Sequence, residues 1–564
     1  MKKLAIFCLG ILFLTSACSD DFLEVVPSNN NTSDEVFRDI TRAQRFLNPA
    51  YGGVRSQPWI SLDTYTDNAV SYDGAKRAAV SGATAESSAV AGEWTRAIQR
   101  ILHINEFFDK GFNVVYDAFD EDLAIALKQR IRGEAFGLRA YYKWILLKNF
   151  AGPSAQDPNI MLGIPVIDRL LTIEDANRVG RSNYLDSYNN ILKDLDSAET
   201  YINTLRYAGD GDVDGAQFTS RVSGEMIWAL RARMALFAAS PAYVQITMDQ
   251  AAQAIYEAIN AIDGASIVPL QSFGDFNDVS NPDHLWRKGY SETNNLEVAH
   301  FPPSLFGRGE CNPSQNLVDA FPDIYGFPIA NPLSQYDPNN PYENRDLRFD
   351  RFVFHNGSDD FNNTTIETFV GGKDAHGGIR KQASRSGYYM KKFLSSKINL
   401  DTEATSGNRD FKMYPIFTRE GLYLDFAEAA VEAYGVAGQG PGMAFSARDA
   451  LQVIRDRAGI VQDDYMDIAV TNIDTYRELI RNERRIEYAF EGERYYDVRR
   501  WQLSSTELEQ PIMGVKVLKN SDDSFDYSYW EIESRNFEQY MYYNPIPRTE
   551  VLKSQAIVQN FGWE

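Results

Sequence analysis

The sequence predicts a mostly α chain: a tetratricopeptide-like helical-repeat scaffold carrying one loop-rich, aromatic-rich region. Two observations predict it. Amphipathic helical patterns recur over residues 34–262 and again over 414–501, with small residues where neighbouring helices would cross. Between them, from Ser272 to Asn408, Gly, Pro, Asn and aromatic residues displace the helical period.

The spacing predicts the elements in order. Val36, Ile40, Ala43 and Leu47 make one stripe, so 34–50 is read as a helix with Ser33 as its cap. Residues 58–92 read as loop. Trp94, Ile98 and Ile101 mark a helix over 93–110, and Leu127, Ile131, Ala135 and Leu138 mark a long one over 121–150, stopped by Gly152-Pro153. Helices follow over 184–202, 221–239 and 249–262. The second of these three alternates large residues with Ala229, Ala232, Ala235 and Ala238, which permits close approach, and Ser240-Pro241 ends it. Residues 351–355 alternate like a strand. Helices return over 414–434 and 446–457.

Composition bounds the function. The 564 residues exceed what one small core organises, and the 44% apolar content is that of a globular protein. A net charge of −22 argues against nucleic acid or anionic lipid as a partner and leaves neutral sugars open. Aromatics reach 13%. Of the three cysteines, Cys8 lies in the leader, so Cys18 and Cys311 form no disulfide framework. Five histidines with no HExxH or CxxC spacing argue against a zinc site.

The N-terminus reads as an export signal. Lys2 and Lys3 precede an apolar run too short to span a bilayer. Leu14-Thr15-Ser16-Ala17-Cys18 then resembles a bacterial lipobox. The expectation is a signal peptide over 1–17, lipidation of Cys18, membrane contact through that anchor alone, and a polar tether over 18–33. The alternative is an ordinary cleaved signal with a chance cysteine.

The stretch from 480 to 501, IRNERRIEYAFEGERYYDVRRW, is unusual in mixing charge with large apolar groups. Leu479, Ile486 and Phe490 share a helical face, and Arg481, Glu483, Arg484, Arg485 and Glu487 surround it. A solvated helix would gain only ~0.2–0.5 kcal/mol per i,i+4 pair. The apolar neighbours predict instead that some charges are packed and paired, which fixes geometry more than it adds stability. Gly492 is expected to end the helix.

Glu483-Arg484, Glu487, Glu491-Gly492, Arg494, Asp497 and Arg500-Trp501 resemble the C-terminal signature of the SusD/RagB family, the surface glycan-binding lipoproteins of Bacteroidetes-type nutrient uptake. Further segments fit. Ser19-Asp20-Asp21 resembles that group's surface-export signal. Asn344-Arg345-Asp346-Leu347-Arg348 resembles a family segment with Leu347 in place of proline. Gly387-Tyr388-Tyr389-Met390 and Gln559-Asn560-Phe561-Gly562 resemble two more, so the match runs from Cys18 to Gly562.

The resemblance implies a SusD-like α superhelix. It divides the chain into an N-terminal helical part, 34–271, and a C-terminal RagB/SusD part, 272–564, with the ligand-binding loops and closing helices. It implies a lipid-anchored, surface-exposed place in the outer membrane and an oligosaccharide or polysaccharide as ligand. It also implies a SusC-like TonB-dependent outer-membrane barrel as partner, with no catalysis and no cofactor.

Sugar rings present apolar faces and a rim of hydroxyls, so a glycan site needs accessible aromatic rings beside polar side chains. The candidates are Trp59, Tyr65, Asp67, Asn68, Tyr72, Trp286, Arg380 and Tyr388. Trp94 heads a helix and joins them if that end faces a cleft, and Cys311 joins as a pocket wall. For each aromatic the alternative is core packing, and for Asp67-Asn68 a turn. Asp210, Asp212 and Asp214 match the first half of an EF-hand loop, but Arg221 stands where the bidentate Glu belongs. Calcium there would be structural, and an acidic surface turn is the stronger reading. The glycines around Lys373 fail the phosphate-loop spacing, and no GxSxG is present. Two other functions stay open: a surface glycoside hydrolase using two carboxylates, and a peptide-binding helical scaffold.

Overall fold

The structure is a computed structural model that describes residues 33–72, 84–113, 120–377, 383–401, 408–460 and 462–564. Cys18 and Arg380 lie outside the described residues.

Five helices form the first block: α1 (Ala91–Lys110), α2 (Glu121–Phe150), α3 (Tyr184–Tyr201), α4 (Gly224–Ala239) and α5 (Met248–Asp263). Most start on a side-chain cap. Asp120, Asn183 and Ser223 accept from the backbone N–H three residues on, and Thr247 and Gln250 form a reciprocal capping box. Each helix packs on the next in the chain, the arrangement of stacked helical hairpins. Ala229, Ala232, Ala235 and Ala238 of α4 are all buried, as their size requires at close crossings.

The stack then continues across a long excursion. α6 (Arg419–Tyr434) packs on α5, and α7 (Ala447–Arg457) and α8 (Ile473–Glu487) pack on α6. The two ends of the excursion are tied by an antiparallel ribbon. β1 (His284–Thr293) pairs with β2 (Asp410–Thr418), with His284 opposite Thr418 and Thr293 opposite Asp410. The fold is therefore mostly α, as the periodicity predicts, with a loop-rich insertion closed at its base. One core holds the stacked helices, and a second, rich in phenylalanine, holds the excursion around Phe301, Phe321, Phe349 and Phe352.

Three local expectations change. The helix over 34–50 is broken into Ser33–Arg38, Ile40–Phe46 and Asn48–Gly53, because Asp39 caps a new start at Ile40 by accepting from the Arg42 N–H and Pro49 opens the third. Residues 414–418 are strand rather than helix, because they pair with β1, and α6 starts only at the Thr418 cap. Residues 351–352 close a short helix, Leu347–Phe352, capped by Asp346, so the strand there is only Val353–Phe354.

Gly492 starts a helix rather than ending one. It sits at φ +81°, where an L side chain is strained, and a Cβ there would meet the Trp59 carbonyl oxygen at 2.9 Å. Its position caps α9 (Glu493–Arg500).

The charged stretch around it is buried and paired. Arg484 bonds Asp425 of α6 at 2.5 Å and Asp497 of α9 at 2.7 Å. Arg500 bonds Asp497 at 2.9 Å and also Glu428. Arg233 of α4 reaches Asp425 at 2.6 Å. On the other side of α8, Glu483 and Glu487 both receive Arg348 from the excursion, the second at 2.7 Å. Arg455 and Arg457 of α7 complete the set at 2.8 and 2.9 Å. Burial pushes the Glu487 carboxyl up, but Arg457 and Arg348 outweigh it and hold the group at about 2.

Glu487→Gln is expected to cost about 3–5 kcal/mol near pH 7, because Arg348 and Arg457 stay buried with a partner lost. Glu487 is depressed in the folded state relative to its usual 4.5. Its stabilisation is therefore complete above about pH 4.5 and disappears as pH falls toward 2. Denaturant melts should show a gap between wild type and variant at pH 7 that narrows at pH 3; a gap of constant size would contradict the ion-pair account.

Candidate functional site

Residues 59–72 run between the two cores. Leu62 is buried in the helical core, whereas Ile60 and Ala69 belong to the core of the excursion. Asp63 anchors the run: its carboxylate accepts from Asn68 Nδ2 and from the Gly492 backbone N–H, each at 2.7 Å. Burial nevertheless pushes that carboxyl up to about 6. Arg485 Nε donates to Asn68 Oδ1 at 2.8 Å, and Arg485 and Arg494 pair with Asp67 at 2.9 and 3.0 Å. Burial raises the Asp67 carboxyl, and the two guanidiniums more than offset this, holding it well below the usual range. The strand Ala69–Ser71 then pairs antiparallel with Cys311–Pro313.

Two clefts border this run. The first, about 600 Å³, is walled by Arg55, Trp59, Arg96 and Arg100 on the helical side and by Asn295, His300, Glu310 and Cys311 on the excursion side. Its volume is in the range that takes small ligands, roughly 300–1,000 Å³. Trp59 is half-buried, and the Arg55 guanidinium lies 3.4 Å from its ring centroid. Glu93 fixes both Arg55 and Arg96, at 2.6 and 2.8 Å. The Arg100 Nε is buried with no hydrogen-bond partner among the described residues. An aromatic ring held in place, surrounded by guanidinium donors and one carboxylate, suits a flat apolar face rimmed by hydroxyls.

The second cleft, about 300 Å³, takes Tyr65 and Asp67 together with residues of the charged stretch and the C-terminal loops.

A model of the SusD family matches residues 276–563. A second family model, described as starch-binding and associating with the outer membrane, matches residues 21–208. The chain belongs to the SusD family. No curated protein matches it significantly. A SusD-like protein from Bacteroides fragilis NCTC 9343 superposes with a TM-score of 0.72 at 22% identity, covering 94% of this chain and 98% of its own. A SusD-like carbohydrate-binding protein from the same strain gives 0.71 at 19%, covering 92% and 99%. A SusD superfamily protein from Bacteroides vulgatus ATCC 8482 gives 0.62 at 14%, covering 93% and 100%. At these identities the likeness is one of fold. Among the described residues, no helix is long and apolar enough to cross a membrane.

The SusD-family structure brings only some of the candidates together. Trp59 and Cys311 border the first cleft, the latter as a buried thiol in its wall. Tyr72 is half-buried beside it, its backbone N–H donating to the Glu310 carbonyl at 3.2 Å. Other candidates are corrected to structural roles. Asn68 is fully buried and spends its amide on Asp63 and Arg485. Trp94 is enclosed and meets Phe150 edge-on at 5.2 Å. Trp286 is 1% exposed, between Tyr141 and Phe417, with its Nε1 on the Ser220 carbonyl at 3.3 Å. Tyr388 is buried and donates to Gln315 Oε1 at 2.7 Å. None of these four offers a ring or amide to a ligand.

The calcium candidate is corrected too. Asp210, Asp212 and Asp214 are exposed on a turn closed by the Gly215 N–H on the Gly211 carbonyl, 2.9 Å. Arg221 binds Glu134 instead, and no metal-holding group of three or more His, Cys, Asp or Glu residues exists among the described residues.

Sequence reasoning missed Arg55, Arg96, Arg100 and Glu310. A signal for two of them existed: Arg96 and Arg100 are one turn apart on α1, on a face flanking its buried Ala97 and Ile101.

Trp286→Ala is expected to lower stability by about 3–5 kcal/mol, the cost of emptying a large core site. A thermal melt checks it; a variant as stable as wild type would contradict the core placement.

Proposed function

We propose that this protein is a non-catalytic glycan-binding lipoprotein of the cell surface. It takes an oligosaccharide or polysaccharide in the cleft at Trp59 and passes it to a TonB-dependent outer-membrane barrel of the SusC type. The observation that carries the reading is the cleft itself: a held indole ring with three arginines on one wall and Asn295, His300 and Glu310 on the other. Membership of the SusD family supports the ligand class, as does the carbohydrate-binding description of a solved relative of the same fold. Among the described lining residues Glu310 is the one carboxylate, whereas glycoside hydrolysis uses a pair. In this reading Cys18 carries the lipid, 18–33 is the tether, the helices of 34–271 are the scaffold, and the part from 272 onward supplies the facing ligand loops. The described outer-membrane association of the second matching family supports that location.

Calorimetric titration of the soluble chain, begun after Cys18, against neutral and acidic polysaccharides tests the reading, with reducing ends assayed in the same samples. Binding without release is expected; steady release of reducing ends would move the protein to the hydrolases. Trp59→Ala should weaken the ligand found by about 1 kcal/mol, roughly fivefold, with the melting temperature little changed. Cys18→Ala should release the protein from the membrane fraction, and unchanged fractionation would refute the anchor.

A further inference from the structure

The second cleft is basic in an acidic protein. Arg481, Arg485, Arg494, Arg499 and Arg535 all line it, against the carboxylates of Asp67, Glu478 and Glu507. Asp67 serves both Arg485 and Arg494, and Arg481 pairs with an exposed Glu478 at 3.0 Å. Arg499 has no carboxylate partner among the described residues. It donates to the carbonyls of Met541 and Tyr495 at 3.1 and 2.9 Å and lies 3.6 Å over the Tyr495 ring. Arg535, with 5% of its side chain exposed, pairs with Glu533 at 2.7 Å and donates Nη2 to the carbonyls of Thr64, Thr66 and Ala69, which leaves Nε without a hydrogen-bond partner among the described residues. Buried donors of this kind are costly to leave unmade.

The same cleft carries aromatic surface. Tyr65, Trp501 and Phe537 line it, with the Arg481 guanidinium 5.0 Å over the Trp501 ring. Five guanidiniums around one cleft outnumber its three lining carboxylates and suit a carboxylate ligand, and rings beside them suit the apolar face of a pyranose. We propose that this cleft is a second binding site, specific for a sugar bearing a carboxylate, that is, a uronic acid residue. The cleft of about 300 Å³ is at the lower end of the range that takes small ligands. The net charge of −22 opposes an anionic polymer at large, and the local cluster reverses that field where the acid sits.

The site is separate from the cleft at Trp59, so either can fail alone. The probe is unsaturated-free trigalacturonate, titrated calorimetrically into the soluble chain, with its methyl ester and sodium acetate as controls. The acid trimer should bind, the ester at least tenfold more weakly, and acetate should not compete at equal concentration. Arg499→Gln and, separately, Arg481→Gln should each weaken the acid trimer at least fivefold, whereas Trp59→Ala should leave it unchanged. If Arg499→Gln melts early, Arg481→Gln decides, because its side chain is at the rim. No binding, equal binding of acid and ester, equal competition by acetate, or loss only in Trp59→Ala would each overturn the proposal.

Discussion

The structure depends on one buried set of ion pairs centred on α8. Glu483 and Glu487 accept arginines from two directions, Arg348 from the excursion and Arg455 and Arg457 from α7. Arg484, one residue on from Glu483, points instead to Asp425 and Asp497. A hydrophobic contact tolerates sliding; a buried guanidinium with two carboxylates does not, because any displacement strands a charge in a low-dielectric interior. The network therefore sets how the phenylalanine-rich core is placed on the helical stack.

That placement is what makes the clefts. Both lie along residues 59–72, whose own position follows from Asp63 holding Asn68 and Gly492, and from Arg485 and Arg494 holding Asp67. Trp59 is thus fixed by the same residues that join the two cores: its carbonyl packs against Gly492, and Arg55 lies on its ring. A ring positioned in advance loses little freedom when a ligand arrives, so modest contacts yield usable affinity while still allowing release.

Much of the fold was legible. α2 runs over the residues its periodicity marks, and α3, α4 and α5 differ from their patterns by a few terminal residues. The charged stretch announced its burial through Ile486 and Phe490, although its partners Asp425, Glu428 and Arg348 lie far away in sequence, where no local pattern points to them. The site was harder. Trp59 and Trp286 are alike in sequence, each in a stretch without helical period; only tertiary packing leaves one half-exposed and closes Tyr141 and Phe417 around the other, which lies in β1. Asp67-Asn68 looked like hydroxyl partners because the arginines that pair with Asp67 and donate to Asn68 come from more than four hundred positions on.

The central claim is that a glycan occupies the cleft lined by Trp59 and Glu310. Hydrogen–deuterium exchange of the soluble chain, with and without a polysaccharide it binds, tests this most directly. Protection is predicted in peptides covering 52–61 and 295–311, with the helices α3 and α5 unchanged. Protection confined to the helical stack, with those two segments unaffected, would contradict the account and favour a peptide-binding scaffold.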